Sequence, residues 1–357
     1  MTVTRLISRV LGVAAAITLT ITGMATASAA SSTSYVALGD SYSSGLGTGS
    51  YLNDGTSCSR SMYAYPALDA ARLGLNLTLR ACAGSTIADV RATQLSALGA
   101  STGYVTVTAG GNDIGFVSVL TECAKPAWFS DCNGAIDAAV AVIRGQLPTA
   151  LAGLYADIRA HAPNARTVVV GYPRLFNGVD CNLLTWFSGA EMTRLNATAD
   201  LLDSVTAAAA GAAGFGFVDP RATFTGHAVC SSSPWINNLT WPIDDSFHPN
   251  KAGHAGYAAV VVPALSGTAK ITVTAAMLQA QAVTLTAQGK ANAAKDAGIR
   301  QQQVVAPDLT SAQARAAAAA AGVDLNDRAS IARADRAAES HQVAIRQAQG
   351  LPVVAAG

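Results

Sequence analysis

Charge is scarce in this chain. Only 13% of its residues are Asp, Glu, Lys or Arg, and 23 bases stand against 22 acids. No basic stripe of the kind that tracks a phosphate backbone is present, so a nucleic-acid partner is excluded. A polybasic membrane-surface patch is equally missing. Aromatic residues are also few, at 6%, and none lies beyond residue 268. After the first thirty residues no run is long and apolar enough to cross a bilayer, which takes about 20 residues, and no stable membrane insertion is expected.

The amino-terminal segment is apolar in a particular way. Arg5 and Arg9 precede an apolar stretch over 10–21, and Ala27-Ser28-Ala29 is a small-residue cleavage signal. Residues 1–29 therefore read as a signal peptide, and the protein as secreted and extracellular. Without the first thirty residues, 21 bases face 22 acids. All six cysteines (Cys58, Cys82, Cys123, Cys132, Cys181 and Cys230) lie in the exported part. An even number in an oxidising compartment reads as three disulfides, although six cysteines allow about 15 connectivities. None has the paired spacing of a zinc site.

Short β-rich runs at 35–38, 75–80, 104–108, 167–170 and 215–218 alternate with helical patterns at 137–159, 191–213 and from about Asn250, where Asn250 or Ser246 is the candidate cap. Strands separated by helices pair in parallel through right-handed crossovers. The fold class expected is a three-layer α/β/α sandwich on a five-stranded parallel sheet. Its ligand site lies beyond the carboxyl ends of the strands. Residues 30–267 form this domain. From 268 to 357 the composition changes to alanine-rich and helix-favouring, with too little aliphatic bulk for a core of its own. That segment reads as an accessory helical extension, a hairpin or a partly disordered tail, dispensable for hydrolysis of a small ester.

Four polar motifs fall at the strand ends. Gly39-Asp40-Ser41-Tyr42-Ser43-Ser44-Gly45 follows the first strand, where a glycine-rich turn exposes a hydroxyl and gathers backbone N–H groups. Asp245-Ser246-Phe247-His248-Pro249-Asn250 offers a histidine matched to a serine proton, with a carboxylate three residues earlier that could reach the ring's other nitrogen. Cys82-Ala83-Gly84-Ser85-Thr86 and Gly110-Gly111-Asn112-Asp113 supply a close-approaching N–H and an uncharged amide, two candidate oxyanion donors. Each motif alone is weak. Asp40 and Asp113, beside site residues, are expected to hold loops. His161, His254 and His341 read as surface residues, His227 as a loop-shaping one. Trp128, Trp235 and Trp241 serve core packing or line a pocket.

Together the order Ser, Gly, Asn, His resembles the SGNH (GDSL-type) hydrolases, from about residue 35 to 262. The likeness is strongest to the secreted actinobacterial lipases, esterases and phospholipases, which share segments similar to Tyr65-Pro66, Gly171-Tyr172-Pro173-Arg174 and Phe224-Thr225-Gly226-His227. The resemblance implies a flavodoxin-like layer order, with Ser41 as nucleophile and first oxyanion donor, Gly84 and Asn112 as the other donors, His248 as base and Asp245 as acid. In some members of this branch a backbone carbonyl orients the histidine instead. It also implies disulfides Cys58–Cys82, Cys123–Cys132 and Cys181–Cys230. No metal or organic cofactor is implied. The function expected is a carboxylic ester hydrolase acting, as a monomer, on a small-molecule or lipid ester. Deacetylation of a sugar or cell-wall glycan would use the same four residues, and a non-enzymatic cell-wall or partner-binding module is the third reading.

Overall fold

The computed structural model describes residues 2, 33–266, 268, 271–351 and 353. Residues 1–29, the expected signal peptide, thus lie, but for residue 2, outside the described residues. In chain order the elements are β1 (Ser34–Gly39), α1 (Ser41–Ser44), α2 (Tyr65–Leu73), β2 (Asn76–Leu79), α3 (Ile87–Asp89), β3 (Tyr104–Thr108), α4 (Phe116–Cys123), α5 (Cys132–Gly145), α6 (Leu147–His161), β4 (Arg166–Val170), α7 (Gly189–Ala212), β5 (Gly216–Val218), α8 (Lys251–Ser266), α9 (Ala275–Asp296), α10 (Ala312–Ala321) and α11 (Arg328–Ala348).

The five strands form one parallel sheet in the order β2-β1-β3-β4-β5. Helices cover both faces, the three-layer arrangement that alternating strand and helix patterns dictate. Burial on both faces explains why β3 and β4 are almost wholly buried along their length. The strand order reverses direction between β1 and β3, and their carboxyl ends there open the crevice typical of such sheets.

Two local expectations are corrected. The pattern at 137–159 reads as one helix, whereas α5 and α6 meet at Gln146 with a 49° bend. Pro148, near the start of α6, has no N–H to donate and its ring crowds the preceding turn. His254 is no surface residue: it is wholly buried, and its Nδ1 accepts from the Tyr65 N–H at 3.2 Å. Gly253 and Gly256 let α8 approach closely, since a Cβ at Gly256 would lie 2.3 Å from the Trp235 ring. Asn250 caps α8, accepting from the N–H groups of Ala252 and Gly253.

The disulfides are Cys58–Cys82, Cys123–Cys132 and Cys181–Cys230. The described residues from 33 onward form one compact unit, and the carboxyl-terminal segment is packed into it. Helix α9 lies along β2, the edge of the sheet. There Gln288 donates to the Leu77 carbonyl at 2.9 Å, and its Oε1 accepts from the Leu79 N–H at 3.4 Å. An exposed strand edge is a template for unwanted pairing, and a covering helix removes it. Leu278, Leu285 and Val304 join the main core, so this segment uses a core it could not build. Helices α10 and α11 bring Ala318, Val323 and Ile331 against Trp128 and Trp186.

Candidate active site

The loop after β1 is built to present one hydroxyl. Gly39 has a φ of 125°, and a Cβ there would sit 2.2 Å from the Thr108 carbonyl oxygen, so only glycine lets β1 turn against β3. Asp40 then caps α1, accepting from the Tyr42 N–H at 2.9 Å. Its other oxygen takes the Tyr172 hydroxyl, which itself accepts the Gly111 N–H at 3.0 Å. Burial pushes the Asp40 carboxyl up to about 7, against the opposing pull of those two bonds. Ser41 is the first residue of α1, with 7% of its surface exposed.

The Nε2 of His248 lies 2.9 Å from the Ser41 Oγ, and its Nδ1 lies 2.9 Å from the Ser246 carbonyl. A carbonyl can only accept, so Nδ1 carries the ring proton and Nε2 is bare, facing the serine O–H. Burial holds the ring well below its ordinary value, down to about 4, with the Ser246 carbonyl pulling the other way. The imidazole is therefore neutral at pH 7.

Asp245 does not meet the expectation that it orients this histidine. Its carboxylate receives the Tyr51 hydroxyl, across the loop from the ring. The cause is local backbone geometry. The short helical turn at Ile243–Asp245 ends there, and Phe247 takes a φ of 60°; the Ser246 carbonyl is the group that meets Nδ1. Asp245→Ala should accordingly lower kcat by less than about tenfold, far below the loss of a true triad member. A loss matching that of His248→Ala would return Asp245 to the triad.

The other two predicted loops are tied to the serine turn by bonds that sequence reasoning missed. Gln94, fully buried, accepts the Gly39 N–H at 2.7 Å and donates to the Gly39 carbonyl at 2.9 Å and the Ser85 hydroxyl at 3.2 Å. The Asn112 Nδ2 donates to the Ser85 carbonyl at 2.8 Å, which uses one of its two hydrogens and fixes the direction of the other. Asp113 accepts the Ile87 N–H. Both Asp40 and Asp113 thus hold backbone. Among the described residues, no protein acceptor takes the N–H of Ser41 or of Gly84. Tyr42 links the serine turn to the histidine loop by donating to the Phe247 carbonyl at 2.9 Å. No spacing rule announces Gln94, Tyr51 or Tyr172.

Beside the Ser41–His248 pair an apolar pocket opens. Tyr42, Gly111, Ile114, Phe116, Leu120, Tyr172, Leu195 and Leu202 are among its lining residues. Tyr42 and Phe116 also touch the His248 ring. Trp128, Trp235 and Trp241 are not in it. Trp128 packs beneath the carboxyl-terminal helices, and Trp235 stacks on His227 at 3.8 Å. His227 bonds the Ser233 carbonyl and shapes its own loop.

A buried serine bonded to a neutral histidine, at the switch point of a doubly wound sheet and beside an apolar pocket, belongs to the class of ester hydrolases. Likeness to known proteins gives the family. Residues 37–255 match the GDSL-like Lipase/Acylhydrolase family, and the chain belongs to it, as a carboxylic ester hydrolase. It is 43% identical over 255 residues to Lipase 1 of Streptomyces coelicolor, covering 70% of this chain and 92% of that one. Among solved structures, an extracellular lipase of Streptomyces rimosus is similar with 40% identity and a TM-score of 0.61, over 65% of this chain and 99% of that chain. Phospholipase A1 of Streptomyces albidoflavus NA297 is similar with 39% identity and a TM-score of 0.60, over 65% and 97%.

Proposed function

We propose that this protein is an exported serine esterase that cleaves carboxylic esters of acyl chains through an acyl-enzyme on Ser41. The observation that carries the reading is the 2.9 Å contact between Ser41 Oγ and a His248 whose other nitrogen is already committed to a carbonyl. Ser41 Oγ attacks the ester carbonyl carbon while Nε2 takes its proton. The oxyanion rests on the N–H groups of Ser41 and Gly84 and on the Asn112 amide. As the tetrahedral centre collapses, the imidazolium returns the proton to the departing alkoxide. Water, deprotonated by the same Nε2, then releases the acid and restores the serine.

The apolar pocket supports an acyl chain over a sugar as the group beside the serine, because a glycan site needs polar partners along a groove. Residues 1–29 would direct export and be removed, consistent with the disulfides. Residues 30–267 carry the chemistry and 268–357 form an accessory part. The test is a panel of p-nitrophenyl esters from acetate upward, an acetylated glycan and a fluorophosphonate probe with peptide mapping. Hydrolysis of the acyl esters, with the label on Ser41, is expected. A label on another serine, or preference for the glycan, would sink the assignment.

A further inference from the structure

The carboxyl-terminal segment does more than cover the sheet edge. Between α9 and α10 it runs without regular structure past the reaction centre, and its contacts trace the route. Ile299 packs on the Cys58–Cys82 bridge. The Arg300 carbonyl and the Gln301 Cα lie directly over Gly84, where a Cβ would sit 2.4 Å from the first and 2.7 Å from the second. Gln301 accepts from the Ser59 hydroxyl at 3.4 Å. Gln303 faces Asp244, in the histidine loop, and opposes the rise that burial imposes on that carboxyl. Val304 is buried in the main core, and the Val305 N–H donates to the Thr121 hydroxyl on α4 at 3.1 Å.

These anchors stand on different walls of the site. Gly84 belongs to the proposed oxyanion loop, Asp244 to the loop that carries His248, and α4 begins with Phe116, whose ring meets that of His248. An extended chain covers at most about 3.5 Å per residue, so the four steps from 301 to 305 span no more than ~14 Å. A path that short between three walls crosses the opening they share. Ser41 and His248 themselves are enclosed, with 7% and 5% of their surfaces exposed.

We propose that residues 299–306 are a strap that sets substrate specificity: they roof the Ser41–His248 centre, admit small monomeric esters, and exclude bulky lipids until displaced. This inference rests on the esterase reading above. The Streptomyces rimosus lipase structure has no room for such a device, since 65% of this chain accounts for 99% of that one. The strap is also the part of the extension most able to move. On one side α9 is held by Asp296, buried between Arg60 and Arg80; on the other α11 is held by Arg346 paired with Asp137. Between these fixed ends the strap has two well-buried side chains, Ile299 at its start and Val304, while Arg300, Gln302, Gln303 and Val305 are exposed. Loops fixed at both ends and lightly bonded between them are the elements that gate active sites.

The experiment uses the full chain. Val304→Ser removes the buried anchor at the far end of the strap from Ile299, and a separate variant lengthens the strap by six Gly/Ser residues between Gln302 and Gln303. For each, kcat/KM is measured on p-nitrophenyl butyrate and on dipalmitoyl phosphatidylcholine vesicles, with the melting temperature as a check of folding. The vesicle-to-butyrate ratio should rise at least about tenfold in both, with the butyrate value within about threefold of the parent, because only access to the centre has changed. An unchanged ratio in folded protein, or a parallel fall on both substrates, would overturn the strap. Should one variant fail to fold, the other decides. A parent chain that hydrolyses neither substrate and takes no fluorophosphonate label would instead overturn the esterase reading.

Discussion

His248→Ala should lower kcat on any ester by on the order of 10⁴-fold, and Ser41→Ala by as much, with abolition of fluorophosphonate labelling in the second. The two losses should not add, because each variant removes the same proton transfer. The double variant should be as active as either single one, within about threefold. Addition of the two losses would mean that one residue works outside the pair. The pH dependence carries the same assignment. His248 acts as a base only when neutral, and burial holds it down to about 4. The profile of kcat/KM should therefore stay flat from neutrality down to about pH 5 and fall to half near pH 4. The sign for stability follows from the same shift. The ordinary histidine value is about 6.5, so between there and about 4 the unfolded chain binds a proton that the native chain refuses. Stability from this group is full above that window and is lost as the pH falls through it. An acid limb centred near 6.5 would show a solvated ring and a site more open than this one.

The sheet, and the motifs that bring Ser41 and His248 together, were legible because each is a local consequence of sequence. Runs of buried β-branched residues can only be strands covered on both faces, and a glycine-rich turn directly after one is where a hydroxyl and free N–H groups gather. What escaped reading is tertiary. Gln94 clamps Gly39 from 55 positions away, and Tyr172 reaches Asp40 from 132, so neither leaves a trace in spacing. Asp245 has the right spacing from His248, but the direction of its side chain depends on the left-handed turn at Phe247, a conformation that non-glycine residues seldom adopt. The carboxyl-terminal segment misleads for a different reason. Alanine-rich helices without aromatics predict no core of their own, and they have none. They take up positions on a core supplied by the rest of the chain.

Loss of Asp296 should unfold more of this protein than any other single change to the carboxyl-terminal segment. Its two oxygens receive the Arg60 Nη2 at 2.7 Å and the Arg80 Nη2 at 2.8 Å, and all three side chains are essentially without solvent contact. Arg60 retains Asp54 at 3.0 Å and the Ala81 carbonyl at 2.9 Å, and Arg80 retains the Thr93 carbonyl at 2.9 Å. With Asp296 gone, one carboxylate is left for two buried guanidinium groups that cannot shed their protons. Breaking a buried pair in this way costs about 3–5 kcal/mol, so Asp296→Ala should lower the melting temperature by roughly 5–10 °C. Asp296→Asn should cost nearly as much, since it keeps the shape and loses the charge. Arg80 ends the approach to Cys82 and Gly84, so a loosened Arg80 disturbs the proposed oxyanion loop as well as the edge of the sheet. Activity on a small ester should therefore fall with stability in these variants, whereas the strap variants leave it intact. A chain cut after residue 267 removes Asp296 together with the cover of β2, and the expectation of an unaffected hydrolase gives way to one of a destabilised protein. Equal melting temperatures for the parent and Asp296→Ala would mean that water reaches both arginines, and that the extension is held by its other contacts, among them Gln288 on β2 and Arg346 on Asp137.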